Sequence, residues 1–152
     1  MRHGMRLDLG GSAKGYILEE ARRVLRARGV RSVLIEAGGD IVVGDAPPDQ
    51  EGWRIDVGGG GGALEARAAR LTNAALATSG PTAQHVVVDG VRYSHVIDPR
   101  TGVGVTNDLV ARVIADDAAV ADGLSTALTV IGSVDAALMS RFPGVVASLS
   151  SR

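Results

Sequence analysis

Apolar positions recur at helical spacing near the N-terminus. Ile17, Leu18, Ala21, Val24 and Leu25 are separated by polar Glu19, Arg22, Arg23 and Arg26, which predicts an amphipathic helix. Ser12 is placed to cap its start and Gly29 to stop it. The period then shortens. Ser32-Val33-Leu34-Ile35 predicts a short buried strand ending at Gly38-Gly39-Asp40, and Ile41-Val42-Val43 resumes an extended pattern. Ala46-Pro47-Pro48-Asp49 predicts a turn. Trp53 to Val57 alternates apolar with polar, as a half-buried strand does. Leu71 to Leu76 reads as a further strand that runs out at Thr78-Ser79-Gly80.

Val86-Val87-Val88 and Val91-Arg92-Tyr93 flank Asp89-Gly90, a hairpin signal because Asp-Gly accepts the two positive φ angles of a tight turn. The hairpin leads into Ser94-His95-Val96-Ile97-Asp98-Pro99-Arg100-Thr101-Gly102. Leu109 to Ala115 is strand-like. Asp117 can cap a second helix, with Val120, Ala121, Leu124, Leu128 and Ile131 on one face and Gly132 after it. A short helix over Val134 to Met139 and a strand at Val145-Val146 follow. Hairpins mixed with isolated helices predict an α+β fold, with a mixed or antiparallel sheet and packed helices, rather than a doubly wound parallel sheet. No repeat or linker divides residues 1–152, so a single domain is expected.

Composition narrows the function. The chain has 152 residues, 45% of them hydrophobic and 22% charged, enough for a buried core. A formal net charge of −1 argues against a dedicated nucleic-acid binder. The aromatics are Tyr16, Trp53, Tyr93 and Phe142, too few for a base-stacking platform. Without cysteine, disulfides, thiolate metal sites and cysteine nucleophiles are excluded. No apolar run approaches the roughly 20 residues of a membrane span. Met1-Arg2-His3-Gly4-Met5 lacks the apolar core of a leader, so a cytoplasmic location is the default expectation. The run Gly58 to Gly62 predicts a flexible surface loop. It is not a dinucleotide fingerprint, because the third glycine would fall on Ala63 and no strand-turn-helix follows. Against fifteen arginines, Lys14 is the single lysine. It is either a chance survivor or a site needing a compact point charge.

Three constellations could carry chemistry. In Asp8-Leu9-Gly10-Gly11-Ser12-Ala13-Lys14-Gly15-Tyr16 a glycine-rich turn runs into a helix start, where unpaired N–H groups and a lysine suit an anion. It is not a Walker A loop, and an ordinary capped helix explains it equally well. In the segment from His95 to Gly102, the end of a strand would send His95 and Ile97 one way and Val96 and Asp98 the other. His95 could accept a proton there, and Arg100 could meet a phosphate or a carboxylate. The plainer alternative is an Asp-Pro turn beside a surface histidine. In Ala121-Asp122-Gly123-Leu124-Ser125-Thr126-Ala127, Asp122 and Thr126 stand four apart on one helix face and could bind a hard cation through oxygen. Alternatively Thr126 bonds back to a carbonyl and Asp122 is exposed. Asp40 and Thr78-Ser79-Gly80 read as turns, and His3 and His85 as surface residues.

Taken together with Glu36-Ala37-Gly38-Gly39-Asp40 and Ala77-Thr78-Ser79-Gly80, these motifs occur in an order and spacing that resembles the ApbE family of FAD:protein FMN transferases, from about Leu7 to the C-terminus. The resemblance implies that FAD is split at its pyrophosphate. FMN is joined to a Thr or Ser hydroxyl of an acceptor protein, and AMP leaves. It implies a Mg²⁺ held by Gly11, through its carbonyl, with Asp122 and Thr126. It implies an FAD site of Asp8, Lys14, Thr78, His95, Ile97 and Asp98, with His95 the base and Asp98 orienting it or touching the flavin. Only the C-terminal half of the family's pattern is present. Thr82 stands where an aromatic is usual, and no proline stands near Gly104. Two rivals follow: an FAD- and Mg²⁺-binding remnant without transfer, and a pyrophosphatase that splits FAD to FMN and AMP. A half-fold exposing apolar sheet surface also predicts a homodimer.

Overall fold

A computed structural model of the chain describes residues 3–4, 8–58, 68–81 and 84–151. Leu7, Gly59 to Gly62 of the glycine run, and Thr82 lie outside the described residues.

Helix α1 (Ala13–Ala27) forms over the predicted amphipathic stretch. Ser12 occupies the N-cap position, but its hydroxyl makes no capping bond. The start is held instead by the Leu9 carbonyl, which accepts from the Ser12 and Ala13 amides at 3.0 and 2.8 Å. Strands β1 (Leu34–Ala37) and β2 (Asp40–Val43) form a hairpin. Gly38 and Gly39 between them have φ of 57° and 91°, the pair of left-handed angles a two-residue turn requires. The strand expected at 32–35 thus begins two residues later. It is exposed rather than buried, because it is an outer strand with β2 as its one neighbour.

Strand β3 (Trp53–Asp56) pairs with β4 (Ala68–Leu71) in a separate ribbon. The run from Leu71 to Leu76 is not one strand. Asn73, at φ 48°, turns the chain, and β5 (Ala74–Ser79) enters the main sheet. Strands β6 (His85–Val88) and β7 (Val91–Ser94) make the predicted hairpin, with Asp89 and Gly90 at φ 51° and 79°. Strands β8 (Ile97–Asp98) and β9 (Val103–Gly104) form a small ribbon. Strand β10 (Leu109–Ala115) precedes helix α2 (Ala118–Ile131). The Asp117 carboxylate caps that helix by accepting from the Val120 amide, and Gly132 ends it at φ 78°. Helix α3 (Ala136–Met139) and strand β11 (Val146–Ser151) follow, the helix shorter and the strand longer than predicted.

The main sheet has the order β1-β2-β5-β10-β11, and every described pairing is antiparallel. The fold is therefore α+β, and its sheet is antiparallel rather than mixed. Strand alternation sorts the core into two layers. Val42, Ala75, Ala77, Ala111, Val113, Ala115 and Ala147 face the helices, packing with Leu18, Ala121, Leu124 and Leu128. Val43, Ala74 and Leu76 face the other way, toward Ile55, Val57 and Leu71 of the ribbon side. The helix face is mostly alanine, which lets α2 lie close to the sheet. At one end the same alternation turns polar. Asp40 precedes Val42 on β2, and Ser79 follows Ala77 on β5. This end carries the site.

Candidate functional site

The first turn of α1 crosses α2 at that polar end. The Gly15 amide donates to Asp122 Oδ2 at 2.8 Å. A Cβ on Gly15 would stand 2.1 Å from the Ala118 carbonyl oxygen and 2.7 Å from Asp122 Cβ, so the crossing requires glycine. Asp122 is 2% exposed. Burial pushes its carboxyl above the ordinary range, and the charge of Asp40 adds to this. The Gly15 N–H and the Lys14 charge act in the opposite direction. One turn further along, Thr126 Oγ1 lies 3.1 Å from Ser79 Oγ. The Gly11 turn passes directly against Thr126, since a Cβ there would come 3.2 Å from Thr126 Cγ2. Gly11, Asp122 and Thr126 are thus brought together from segments more than a hundred residues apart.

Lys14 and Asp40 form an ion pair, Nζ to Oδ2 at 2.9 Å, with the Asp40 side chain 3% exposed and the lysine 43%. Asp40 Oδ1 accepts from the Thr78 amide at 3.1 Å. Asp40 is therefore a buried strand residue and a partner of Lys14, not merely part of a turn. Its signal in the sequence was its place beside a Gly-Gly hairpin turn in a chain that keeps one lysine. Lys14→Met should leave this carboxylate without its counter-charge. We expect a loss of about 1–2 kcal/mol, discounted because the lysine is partly solvated. That corresponds to roughly 2–8 °C in Tm for a domain of this size. Thermal unfolding of Lys14→Met and of Lys14→Met/Asp40→Asn checks this: the double variant should recover most of the loss, and no recovery would sink the pairing argument.

The other predicted residues form a second group. His95 is exposed, and its Nδ1 lies 3.1 Å from the Gln84 carbonyl oxygen. Asp98 is gripped by Arg100, with Nε at 2.9 and 3.1 Å from its two oxygens and Nη2 at 2.7 Å from Oδ2. These bonds hold its carboxyl below the usual range. Asp98 makes no hydrogen bond or ion pair with His95, so the expected orienting role has no bond behind it. Arg100 has a carboxylate as its partner. Ile97 is 53% exposed beside them. A cleft of about 440 Å³ is bounded by Tyr93, Asp98, Arg100, Val105, Asn107 and Val130. A smaller one of about 190 Å³ is bounded by Gln84, His85, Tyr93 and His95. Asn107 Nδ2 donates to the Thr129 carbonyl at 3.1 Å, which fastens this group to the C-terminal end of α2. Thr126 and Val130 are four helical residues apart, about 6 Å along the axis. One helix therefore carries the oxygen cluster at its middle and the wall of the larger cleft at its end. Asp8 Oδ1 accepts from the Gly10 amide at 2.7 Å and so shapes the glycine turn that leads to Gly11.

The donors of the first group suit a hard cation. A carboxylate, a hydroxyl and a backbone carbonyl are oxygen ligands, and Mg²⁺ sites commonly use one or two carboxylates completed by phosphate oxygens. Among the described residues no three His, Cys, Asp or Glu side chains converge, as an all-protein transition-metal site would need. No helix among the described residues is long and apolar enough to cross a membrane.

Fold and site together define a class: an antiparallel α+β domain with an oxygen-rich centre where a glycine turn meets a helix. The chain belongs to the ApbE family, whose sequence pattern matches residues 1–149. It is 33% identical over 154 residues to an FAD:protein FMN transferase of Treponema pallidum, covering 93% of this chain and 42% of that one. It is 34% identical over 131 residues to one from Vibrio cholerae, covering 83% and 39%. The ApbE protein of Thermotoga maritima superposes with a TM-score of 0.79 at 34% identity, covering 95% of this chain and 48% of that structure. The apo flavinyl transferase ApbE of Pseudomonas stutzeri gives 0.76 at 33%, covering 97% and 46%. The chain thus spans about two-fifths of the length of these curated relatives.

Proposed function

We propose that residues 1–152 form one domain, the C-terminal part of the family's pattern, and carry the metal- and phosphate-handling machinery of an FAD:protein FMN transferase. The observation that carries this reading is Asp122. A carboxylate buried between two helices, beside Thr126 and the Gly11 turn, is costly unless a cation meets it. The names of the relatives in T. pallidum and V. cholerae support the reaction class.

In the reaction, the acceptor's Thr or Ser oxygen attacks the FMN phosphorus of FAD. The bond to the AMP phosphate oxygen breaks, and AMP leaves with its electron pair. His95, at the mouth of the smaller cleft, takes the hydroxyl proton. Lys14 holds the pyrophosphate while paired to Asp40. Asp8 shapes the turn beneath it, and Thr78, Ile97 and Asp98 contribute to the FAD site. Gly11, Asp122 and Thr126 would hold Mg²⁺, which supplies charge neutralisation at the phosphates. The exposed valines of the β6–β7 hairpin, Val86 and Val87 at 62% each, support self-association into a homodimer. Sedimentation would read this out.

The test incubates the chain with FAD, Mg²⁺ and a threonine-bearing acceptor, with the remainder of the family pattern supplied as a second polypeptide. Transfer shows as flavin fluorescence on the acceptor and an equal release of AMP. AMP without labelling would instead identify a pyrophosphatase, and FAD binding without either product a binding remnant. His95→Ala should slow transfer on the order of 10²-fold, the low end for general-base assistance, because an exposed base is partly replaceable by water. Metal affinity should be unchanged. Wild-type single-turnover rates across pH 6 to 9 would remove His95 from the mechanism.

A further inference from the structure

Beneath Thr126 lies a chain of hydroxyls whose protons can be assigned by counting. Ser125 Oγ donates to the Asp122 carbonyl at 2.9 Å. Each hydroxyl has one proton and two lone pairs. With the Ser125 proton placed on that carbonyl, Ser79 is the donor in its 2.9 Å contact with Ser125 Oγ. Ser79 has then spent its own. In the 3.1 Å contact between Ser79 Oγ and Thr126 Oγ1 the donor is then Thr126. The Thr126 proton points down into the sheet, and its lone pairs point away from Ser79. A hydroxyl that ligates a cation needs this arrangement, with its proton given to an acceptor behind it and its lone pairs free in front.

We infer that Ser79 is a positioning residue for the cation: by accepting the Thr126 proton it fixes the Thr126 lone pairs for ligation. The inference rests on the cation site proposed above. Thr129 supplies the contrast. It is fully buried in the same cluster, its one proton shared between the Ser125 carbonyl at 3.0 Å and the Ser79 carbonyl at 3.2 Å. It thus braces the backbone without touching the Thr126 hydroxyl.

The experiment titrates Mn²⁺ into the full chain, reading free ion by electron paramagnetic resonance with Mg²⁺ as competitor. Wild type, Asp122→Asn, Ser79→Ala and Thr129→Val are compared, and thermal unfolding without metal is recorded for each. Partners that orient a metal ligand typically change affinity by about 10–100-fold. Ser79→Ala should therefore bind at least about 10-fold more weakly than wild type, whereas Thr129→Val, though destabilised, should stay within about 2-fold of it. Wild-type affinity in Ser79→Ala, with binding lost in Asp122→Asn, overturns the inference and leaves the cation site standing. Equal affinity in wild type and Asp122→Asn overturns both. A parallel loss in Ser79→Ala and Thr129→Val shows a general structural effect and also overturns it.

Discussion

Asp122→Asn should abolish Mg²⁺-dependent flavin transfer, by about 10³-fold or more, while making the metal-free protein more stable. Both effects come from one buried charge. The carboxylate is the single charged oxygen among the proposed ligands, and losing the charge stabilisation of a bound cation removes several kcal/mol from the transition state. Without metal, the same charge sits at the α1–α2 crossing with its pKa raised, chiefly by burial. A raised carboxylate pKa means that the folded state holds its proton more tightly than the unfolded state. Stability is then fully present below the unfolded pKa and is lost as pH rises through the folded one. Asparagine keeps an oxygen for the Gly15 amide and removes this penalty. A higher Tm than wild type is expected near neutral pH in EDTA. The fall in wild-type stability above the ordinary carboxylate range should flatten in the variant. Mg²⁺ should raise the wild-type Tm and leave the variant's unchanged. A variant that melts below wild type in EDTA would show that the charge is already compensated and would remove the main support for a cation.

Gly15→Ala should be strongly destabilising. The added methyl would meet backbone, the Ala118 carbonyl oxygen at 2.1 Å, and no rotamer change can relieve that. Overpacking typically costs about 1–3 kcal/mol, and a rigid backbone neighbour puts this case at the upper end or beyond. Separation of the helices would also break the 2.8 Å bond from the Gly15 amide to Asp122. Helix propensity alone points the other way, since alanine is favoured over glycine by about 1 kcal/mol inside a helix. The sign of the measured change therefore decides between local preference and tertiary packing. A fall in Tm of roughly 6–12 °C, together with weakened Mg²⁺ binding, is expected. The control is Gly123→Ala, on α2, where a Cβ would meet nothing within 4 Å. It should be neutral or stabilising. If Gly15→Ala behaves like Gly123→Ala, the helices are not as close as described.

Local patterns and tertiary contacts divided the information unevenly. Local sequence signals located both long helices, the Asp89-Gly90 hairpin and the strand Leu109–Ala115, because each is set by spacing, capping or turn chemistry within a few residues. Asp117 as a cap and Gly132 as a stop were legible for the same reason. The break at Asn73 was not, because an apolar run looks alike whether it stays in one sheet or changes layers. Strand exposure at Leu34–Ala37 was hidden too, since it depends on being outermost in the sheet order. At the site, the pairing of Asp122 with Thr126 followed from helical spacing. The other contacts are long-range. Lys14 finds Asp40 across 26 residues, Gly15 finds Asp122 across 107, and Thr126 finds Ser79 across 47. Residue types declared what chemistry was available. Which carboxylate was buried, which was neutralised by lysine and which hydroxyl faced outward were decided by the helix crossing and the sheet register, because burial and hydrogen-bond partners are properties of neighbours in space, not along the chain.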